Sequence, residues 1–121
     1  MFQVEGIDHV ALSVRDVEES ARWYIDVLGL ERRHEGLWNG VPVFIGKGTT
    51  ALALFPAQRG IAGKESDPAS TRMSHLAFRA SRAEFLNAQR DLKQRNIAFG
   101  FEDHEVSHSI YFRDPDGHGL E

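Results

Sequence analysis

The feature that most constrains the fold of this chain is a weak internal repeat. The stretch "HVAL" at residues 9–12 matches "HLAF" at residues 75–78, an offset of 66 residues. In both halves a helix pattern comes next, and short apolar stretches follow it in the same order. Two similar halves of about sixty residues predict two modules of one topology, related by a pseudo-twofold axis. Their first strands would then present His9 and His75 to a shared concave surface.

The first module shows a strand, a helix and three further strands. An apolar, β-branched run at residues 7–14 predicts the first strand. Asp16 and Glu19 predict the start of a helix, and Gly29 predicts its end. Turn-forming residues then separate three short strand patterns, at 30–35, 42–46 and 50–55.

The second module repeats this order after a polar stretch without periodicity at residues 56–72, which predicts a loop. Residues 73–80 predict a strand, and Ser81 with Glu84 predicts a capping box for a helix over residues 82–96. The inner side of that helix is predicted to carry Phe85, Leu86, Ala88, Gln89 and Leu92. Three short strands are predicted at 97–101, 109–112 and 118–121. The predicted boundaries are about 1–56 and 73–121 for the modules, with a linker at 57–72.

Composition excludes several classes of protein. With 121 residues, 41% hydrophobic and 26% charged, the chain has the size and composition of one globular domain. A net charge of −4 without a Lys/Arg stripe argues against a nucleic-acid partner. No apolar run is long enough to span a membrane and no signal peptide is visible, so we expect a cytoplasmic protein.

Two histidines and one carboxylate form the candidate metal site. His9 and His75 are equivalent under the repeat, and Glu121 lies on the last predicted strand. Two imidazoles and a carboxylate on one face make a facial triad, which binds Fe(II), Mn(II) or a similar divalent ion and leaves positions open for substrate. Zn and Ni are also compatible, whereas the absence of cysteine argues against soft metals.

The simpler interpretation is structural, since a histidine in a strand is more often a hydrogen-bonded residue than a metal ligand. The repeat-equivalent placement of His9 and His75 favours ligation over that interpretation. Both remain open on the residues alone.

Three stretches of the chain resemble the vicinal oxygen chelate superfamily, which includes glyoxalases, bleomycin-resistance proteins and extradiol dioxygenases. They are "DHVALSVRDVEESARWYIDVLGL", "SHLAF" and "SIYFRDPDGHGLE". The resemblance implies an α+β fold in which two βαβββ modules form a paired, partly open β-cup around a divalent metal. By position, it implies His9, His75 and Glu121 as the metal ligands and a small oxygenated molecule as the substrate.

The residues leave more than one branch of the superfamily open. Glyoxalase I relatives use a fourth, acidic ligand on the fourth strand of the first module, where this chain has Ala53 in "TALALF". Three ligands fit the extradiol dioxygenases and the fosfomycin-modifying thiol transferases or hydrolases. The stretch 103–121 is similar to the extradiol pattern, which implies His104 as the acid/base residue and Tyr111 as a hydrogen-bond donor to substrate.

Two further expectations come from the same resemblance. Cups of this kind are often completed across a subunit interface, so a homodimer is expected. The alternative function is that of the bleomycin-sequestering relatives, which capture a small molecule in a groove without metal or chemistry.

Overall fold

The structure, a computed structural model, describes residues 1–57 and 73–121. It divides into two compact units, Met1–Lys64 and Glu65–Glu121. The predicted modules lie one in each unit. All but the first residue of the predicted linker, 57–72, falls outside the described residues.

The first unit is a four-stranded sheet with one long helix. Its elements are β1 (Val10–Val14), α1 (Val17–Leu28), β2 (Glu31–Arg33), a single 3-10 turn at Trp38–Gly40, β3 (Val43–Lys47) and β4 (Thr50–Pro56). The strand order is β1-β4-β3-β2. β1 runs parallel to β4, and the other two pairs are antiparallel. This is the predicted strand–helix–three-strand order.

The predicted start and end of α1 are both confirmed. The side chain of Asp16 accepts a hydrogen bond from the backbone N–H of Glu19 at 2.9 Å, which satisfies one of the free donors of the first turn. Gly29 ends the helix in the left-handed conformation, with φ of 67°. Glycine adopts this conformation without steric cost, so the chain can turn directly into β2.

The core of the first unit lies between α1 and the sheet. Ala21 and Tyr24 on the helix are fully buried, as are Ile45 on β3 and Leu54 on β4. Their burial follows from a helical spacing of apolar residues on α1 and from an apolar run along β4. Removing this apolar surface from water is the main stabilising contribution to the unit.

The second unit has the same connectivity. It contains α2 (Arg82–Gln94), β5 (Gly100–Asp103), β6 (His108–Arg113) and β7 (Gly119–Leu120), with the order β5-β6-β7. An isolated parallel bridge joins Leu76 to Leu120. The segment before α2 thus pairs in parallel with the last strand, as β1 pairs with β4. The helix start is also as predicted, since the Ser81 hydroxyl accepts from the Glu84 N–H at 3.2 Å.

Two details of the second module differ from prediction. Residues 73–80 form a single bridge and not a strand, because their partner β7 is only two residues long and the ladder cannot extend along it. Backbone hydrogen bonds nevertheless link this segment to the end of the chain: Leu76 N donates to Gly119 O at 3.0 Å, and Phe78 N donates to Glu121 O at 2.8 Å. Leu86, predicted on the inner side of α2, is 53% exposed, and Leu92 is the residue of this helix that is buried.

The turn before β7 is held by one carboxylate. Asp114 Oδ1 accepts hydrogen bonds from the backbone N–H groups of Asp116 at 3.0 Å and His118 at 2.8 Å. Gly117 adopts a φ of 87°, which side chains rarely allow. This Asx-type turn reverses the chain and directs β7 back along β6.

In the described residues, 1–57 and 73–121, no helix is both long enough and apolar enough to cross a membrane.

Substituting Gly46 tests the packing between β3 and β4. A Cβ at this position would collide with the carbonyl oxygen of Thr50 and lie 3.1 Å from the Arg33 guanidinium carbon. We expect Gly46→Ala to lower the free energy of unfolding by roughly 1–3 kcal/mol, the usual effect of overpacking. Urea titration followed by circular dichroism measures this change.

The matched control is Gly100→Ala on β5, where an added Cβ meets no atom within 4 Å. Its unfolding midpoint should stay close to that of the wild type. Equal midpoints for both variants would contradict the close approach at Gly46.

Candidate functional site

The polar groups of the second unit collect on one face of its sheet. Side chains alternate along β6, so Ser109, Tyr111 and Arg113 share one face. Ile110 and Phe112 occupy the other face, where they are 6% and 8% exposed. The apolar face packs into the core, and the polar face holds the candidate functional residues of β6.

Glu121 is held by partners at both of its carboxylate oxygens. The Ser109 hydroxyl donates to Oε1 at 2.5 Å, and Nε2 of His75 lies 2.9 Å from Oε2. The backbone supports this contact, because Glu121 N donates to Leu76 O at 2.8 Å. The parallel pairing at Leu76 and Leu120 therefore brings together two of the three predicted ligands, although they are 46 residues apart in the sequence.

Gly119 makes this close pairing sterically possible. A Cβ there would lie 2.7 Å from the carbonyl oxygen of Ser74 and 3.3 Å from the Cβ of His75. Any side chain at this position would push the His75 segment away from β7. The glycine in "DGHGLE" is thus a requirement of the His75–Glu121 contact.

The surroundings of Glu121 favour its charged form. The hydrogen bond from Ser109 is the main cause that holds the pKa of the Glu121 carboxyl below its usual value, and the charges of His75 and His104 lower it further. Burial opposes this shift without cancelling it. At neutral pH the group is a carboxylate, which is the form that binds a metal ion.

His104 and Tyr111 form a second pair on the same face. Nε2 of His104 lies 2.9 Å from the Tyr111 hydroxyl, and Glu102 Oε2 lies 3.6 Å from the same nitrogen. Burial is the largest cause that raises the pKa of Tyr111, and the nearby charge of Glu121 adds to it. The Tyr111 ring also meets His75 edge-on, with centroids 5.7 Å apart. Both residues implied as catalytic thus lie beside the His75–Glu121 pair.

His9 lies in the first unit, immediately before β1. Its Nδ1 lies 2.7 Å from Asp8 Oδ1, and its ring meets Phe44 edge-on with centroids 5.2 Å apart. A carboxylate hydrogen-bonded to one imidazole nitrogen orients the ring and leaves the lone pair of the other nitrogen available to a metal ion. This arrangement is common among metal-binding histidines. His9 and His75 are similarly exposed, at 41% and 40% of their side chains.

An aromatic cluster surrounds Phe44 in the first unit. Its ring centroid lies 5.4 Å from that of His34 and 5.3 Å from that of Trp38. Trp38 is 51% exposed, so it is not part of the core.

The donor set fits a divalent ion in its chemistry, with imidazole nitrogens and an ionised carboxylate. Within residues 1–57 and 73–121, no group of three or more His, Asp or Glu side chains comes together as a metal cluster. Ala53 on β4 is fully buried, and β4 carries no acidic residue. A fourth ligand of the glyoxalase I type is therefore absent from this strand.

Ser109 is the residue that sequence reasoning missed. It lies two positions before Tyr111 on β6, so strand alternation places it on the face of Tyr111. Its hydroxyl belongs to a residue that is only 6% exposed, so it needs a hydrogen-bond partner within the protein. That partner is Glu121, which the pairing of β6 with β7 places beside it.

Comparison with known sequences gives consistent matches. The sequence profile described as "Glyoxalase/Bleomycin resistance protein/Dioxygenase superfamily" matches residues 6–121. The chain is 28% identical to a glutathione transferase FosA of Serratia marcescens, over 98% of this chain and 79% of that protein. It is 33% identical to a metallothiol transferase FosB of Staphylococcus epidermidis, over 98% and 82%. A catechol-2,3-dioxygenase of Bacillus subtilis is 29% identical over 95% of this chain, which spans only 40% of that enzyme.

Solved structures match over nearly the whole chain. A lactoylglutathione lyase from Agrobacterium tumefaciens superposes with a TM-score of 0.72 at 25% identity, covering 97% of this chain and 91% of that one. A glyoxalase/dioxygenase from Nostoc punctiforme gives 0.76 at 26% identity, covering 96% and 88%. The α+β fold with two open sheets is thus that of these proteins.

Substituting Ser109 tests the electrostatics of the carboxylate. In metal-free protein, Ser109→Ala should raise the pKa of Glu121 toward its usual value, because the largest cause of its lowering is removed. A depressed folded-state pKa stabilises the fold above the unfolded-state pKa, and this stabilisation is lost as pH falls through the folded-state value. The stability difference between wild type and variant should therefore shrink on acidification.

Carboxyl-carbon NMR of Glu121 and urea titrations over a pH series measure both quantities. Ser107→Ala, in the loop before β6 and exposed, is the matched control and should leave the titration of Glu121 unchanged. An unchanged pKa of Glu121 in the Ser109 variant would contradict the assigned cause.

Proposed function

Because this chain belongs to the Glyoxalase/Bleomycin resistance protein/Dioxygenase superfamily, we propose that it is a divalent-metal-dependent enzyme acting on a small oxygenated molecule. The observation that carries the proposal is the contact of an ionised Glu121 with Nε2 of His75, at 2.9 Å. His75 is the repeat-equivalent of His9, and Glu121 is the carboxylate that the resemblance pairs with them.

The proposed ligands are His9, His75 and Glu121. Support comes from their donor chemistry, from the carboxylate of Asp8 on Nδ1 of His9, and from the hydrogen bond of Ser109 to Glu121. Nitrogen and oxygen donors with no thiolate favour Fe(II) or Mn(II), and Zn or Ni also suit such a set. A homodimer and a cytoplasmic location stay predictions.

A divalent ion bound by these residues would polarise a substrate oxygen as a Lewis acid. The residues of the chain supply the remaining chemistry. Ser109 keeps one Glu121 oxygen in place, so that the carboxylate does not need to reorganise when substrate arrives. The Tyr111 hydroxyl donates a hydrogen bond to a substrate oxygen. His104, which lies 2.9 Å from that hydroxyl, accepts or returns a proton during the reaction.

Two branches of chemistry suit a three-ligand site. One relative is named a glutathione transferase, another a metallothiol transferase and a third a catechol-2,3-dioxygenase. The buried Ala53 and the acid-free β4 argue against a glyoxalase I site. We therefore propose either cleavage of a dihydroxylated ring or addition of a thiol or water to a small oxygenated substrate.

Metal binding is the first test of this proposal. The purified protein should bind close to one equivalent of Mn(II) or Fe(II), measured by mass spectrometry after gel filtration. Glu121→Gln and His75→Ala should each weaken metal binding by at least about 100-fold, because each removes a direct ligand. Loss of a residue that only supports a ligand already lowers metal affinity by about 10- to 100-fold.

His108→Ala is the matched control, because His108 is 56% exposed and faces Asp103. Its metal affinity should equal that of the wild type. A protein that binds no metal, and whose ligand variants behave as the wild type, would leave metal-free sequestration of a small molecule as the function.

Activity assays separate the two branches. Fe(II)-loaded protein is mixed anaerobically with a panel of catechols before oxygen is admitted, and ring-cleavage absorbance is followed. Mn(II)-loaded protein is incubated with fosfomycin and a thiol, and loss of fosfomycin is followed. In the productive assay, His104→Ala should lower kcat by about 10²–10⁴-fold while the metal content stays at wild-type level. A kcat equal to that of the wild type would exclude His104 as the acid/base residue.

A further inference from the structure

A cavity of about 560 Å³ opens on the second unit beside the candidate ligands. The residues that line it include His75, Tyr111, Arg113 and Phe99. Its volume is in the range of pockets that hold small molecules. The proposed chemistry uses only His75 and Tyr111, so the rest of the cavity has no assigned role.

Arg113 gives this cavity its charge. Among the described residues, 1–57 and 73–121, those that line the cavity include no Asp or Glu, and Arg113 is the only Lys or Arg among them. Its Nη1 donates to the Gly117 carbonyl oxygen at 2.7 Å, a contact that orients the guanidinium without neutralising it. Across residues 1–57 and 73–121, no carboxylate forms an ion pair with it. The cavity therefore offers an oriented, solvent-exposed cation that forms no ion pair within the described residues.

Part of the remaining lining is apolar. Ile97, Ala98 and Phe99 form a wall where the chain enters β5. Gly100 lies directly opposite Tyr111 in the β5–β6 pairing, and its lack of a side chain leaves space beside the Tyr111 ring. Such a lining suits an apolar body that carries one anionic group.

We propose that this cavity binds a carboxylate on an apolar body and that Arg113 is its anion-binding residue. A guanidinium binds a carboxylate through two parallel hydrogen bonds, which makes Arg113 selective for this group over a neutral amide. Tyr111 and Arg113 are two residues apart on one face of β6, a spacing of about 7 Å along the strand. This proposal rests on the proposed function, since it makes the substrate of that site a small carboxylate.

Binding of two matched probes tests the proposal without any turnover. Phenylacetate and phenylacetamide have the same apolar body and differ in charge. The full chain is titrated with each probe, and the shifts of its amide signals are followed by NMR. One series contains EDTA to remove metal, and a second contains Zn(II), which is diamagnetic and so does not broaden the signals as Mn(II) would. We expect phenylacetate to bind about tenfold more tightly than phenylacetamide, with shifts at residues 97–100 and 111–113.

Arg113→Met should abolish this preference while leaving the affinity for phenylacetamide within about twofold, since Met keeps an apolar stem of similar length and removes the guanidinium. The control Arg90→Met alters an exposed arginine of α2 outside the cavity and should keep the preference. Gly100→Leu offers a second test that does not depend on Arg113. An added Cβ there meets no atom within 4 Å, so the variant should fold, fill the cavity and weaken both probes.

Equal affinity of the two probes for the wild type would overturn the proposal, as would a preference that survives Arg113→Met. Failure of both probes to bind at millimolar concentration would also overturn it. These outcomes are separable from a failure of the proposed function. Loss of metal binding leaves the EDTA titration unaffected, whereas loss of probe selectivity leaves the metal content unaffected.

Discussion

The pairing of the segment before α2 with the last strand is the constraint on which the site depends. Leu76 and Leu120 pair in parallel, and the backbone bonds around them set the register that places Nε2 of His75 at 2.9 Å from Glu121. Gly119 permits this approach because a Cβ would collide with Ser74. A one-residue slip would turn Glu121 to the opposite face of the sheet, so register and chemistry are set together.

Electrostatic organisation follows from the same pairing. Once β7 lies along β6, Ser109 reaches Glu121 and holds its charged form, while Tyr111 and His104 lie on the same face. Arg113 continues that face toward the turn. One strand thus carries a carboxylate-orienting hydroxyl, a phenol and a cation at alternate positions. This order is compatible with a substrate that presents oxygens at one end and an anionic group at the other.

Much of the fold was predictable because its signals are local. The caps at Asp16 and Ser81 depend on hydrogen bonds three residues apart, and Gly29 ends α1 through its own backbone conformation. The repeat revealed the topology of both units. The two errors have a different origin. Residues 73–80 and Leu86 carry sound strand and helix patterns, but how far a ladder extends and how much of a helix is covered depend on partners distant in the sequence.

By itself, the sequence determined the helices with their caps, the order of strands in each module, the absence of an acid on β4 and the candidate residues His9, His75, His104, Tyr111 and Glu121. Only the tertiary structure decided which of these touch, and it added Ser109 and Arg113. The physical reason is that a side chain acquires a pKa, a partner or a role in a cavity from groups brought beside it by strand pairing. The spacing of residues along the chain does not record those contacts.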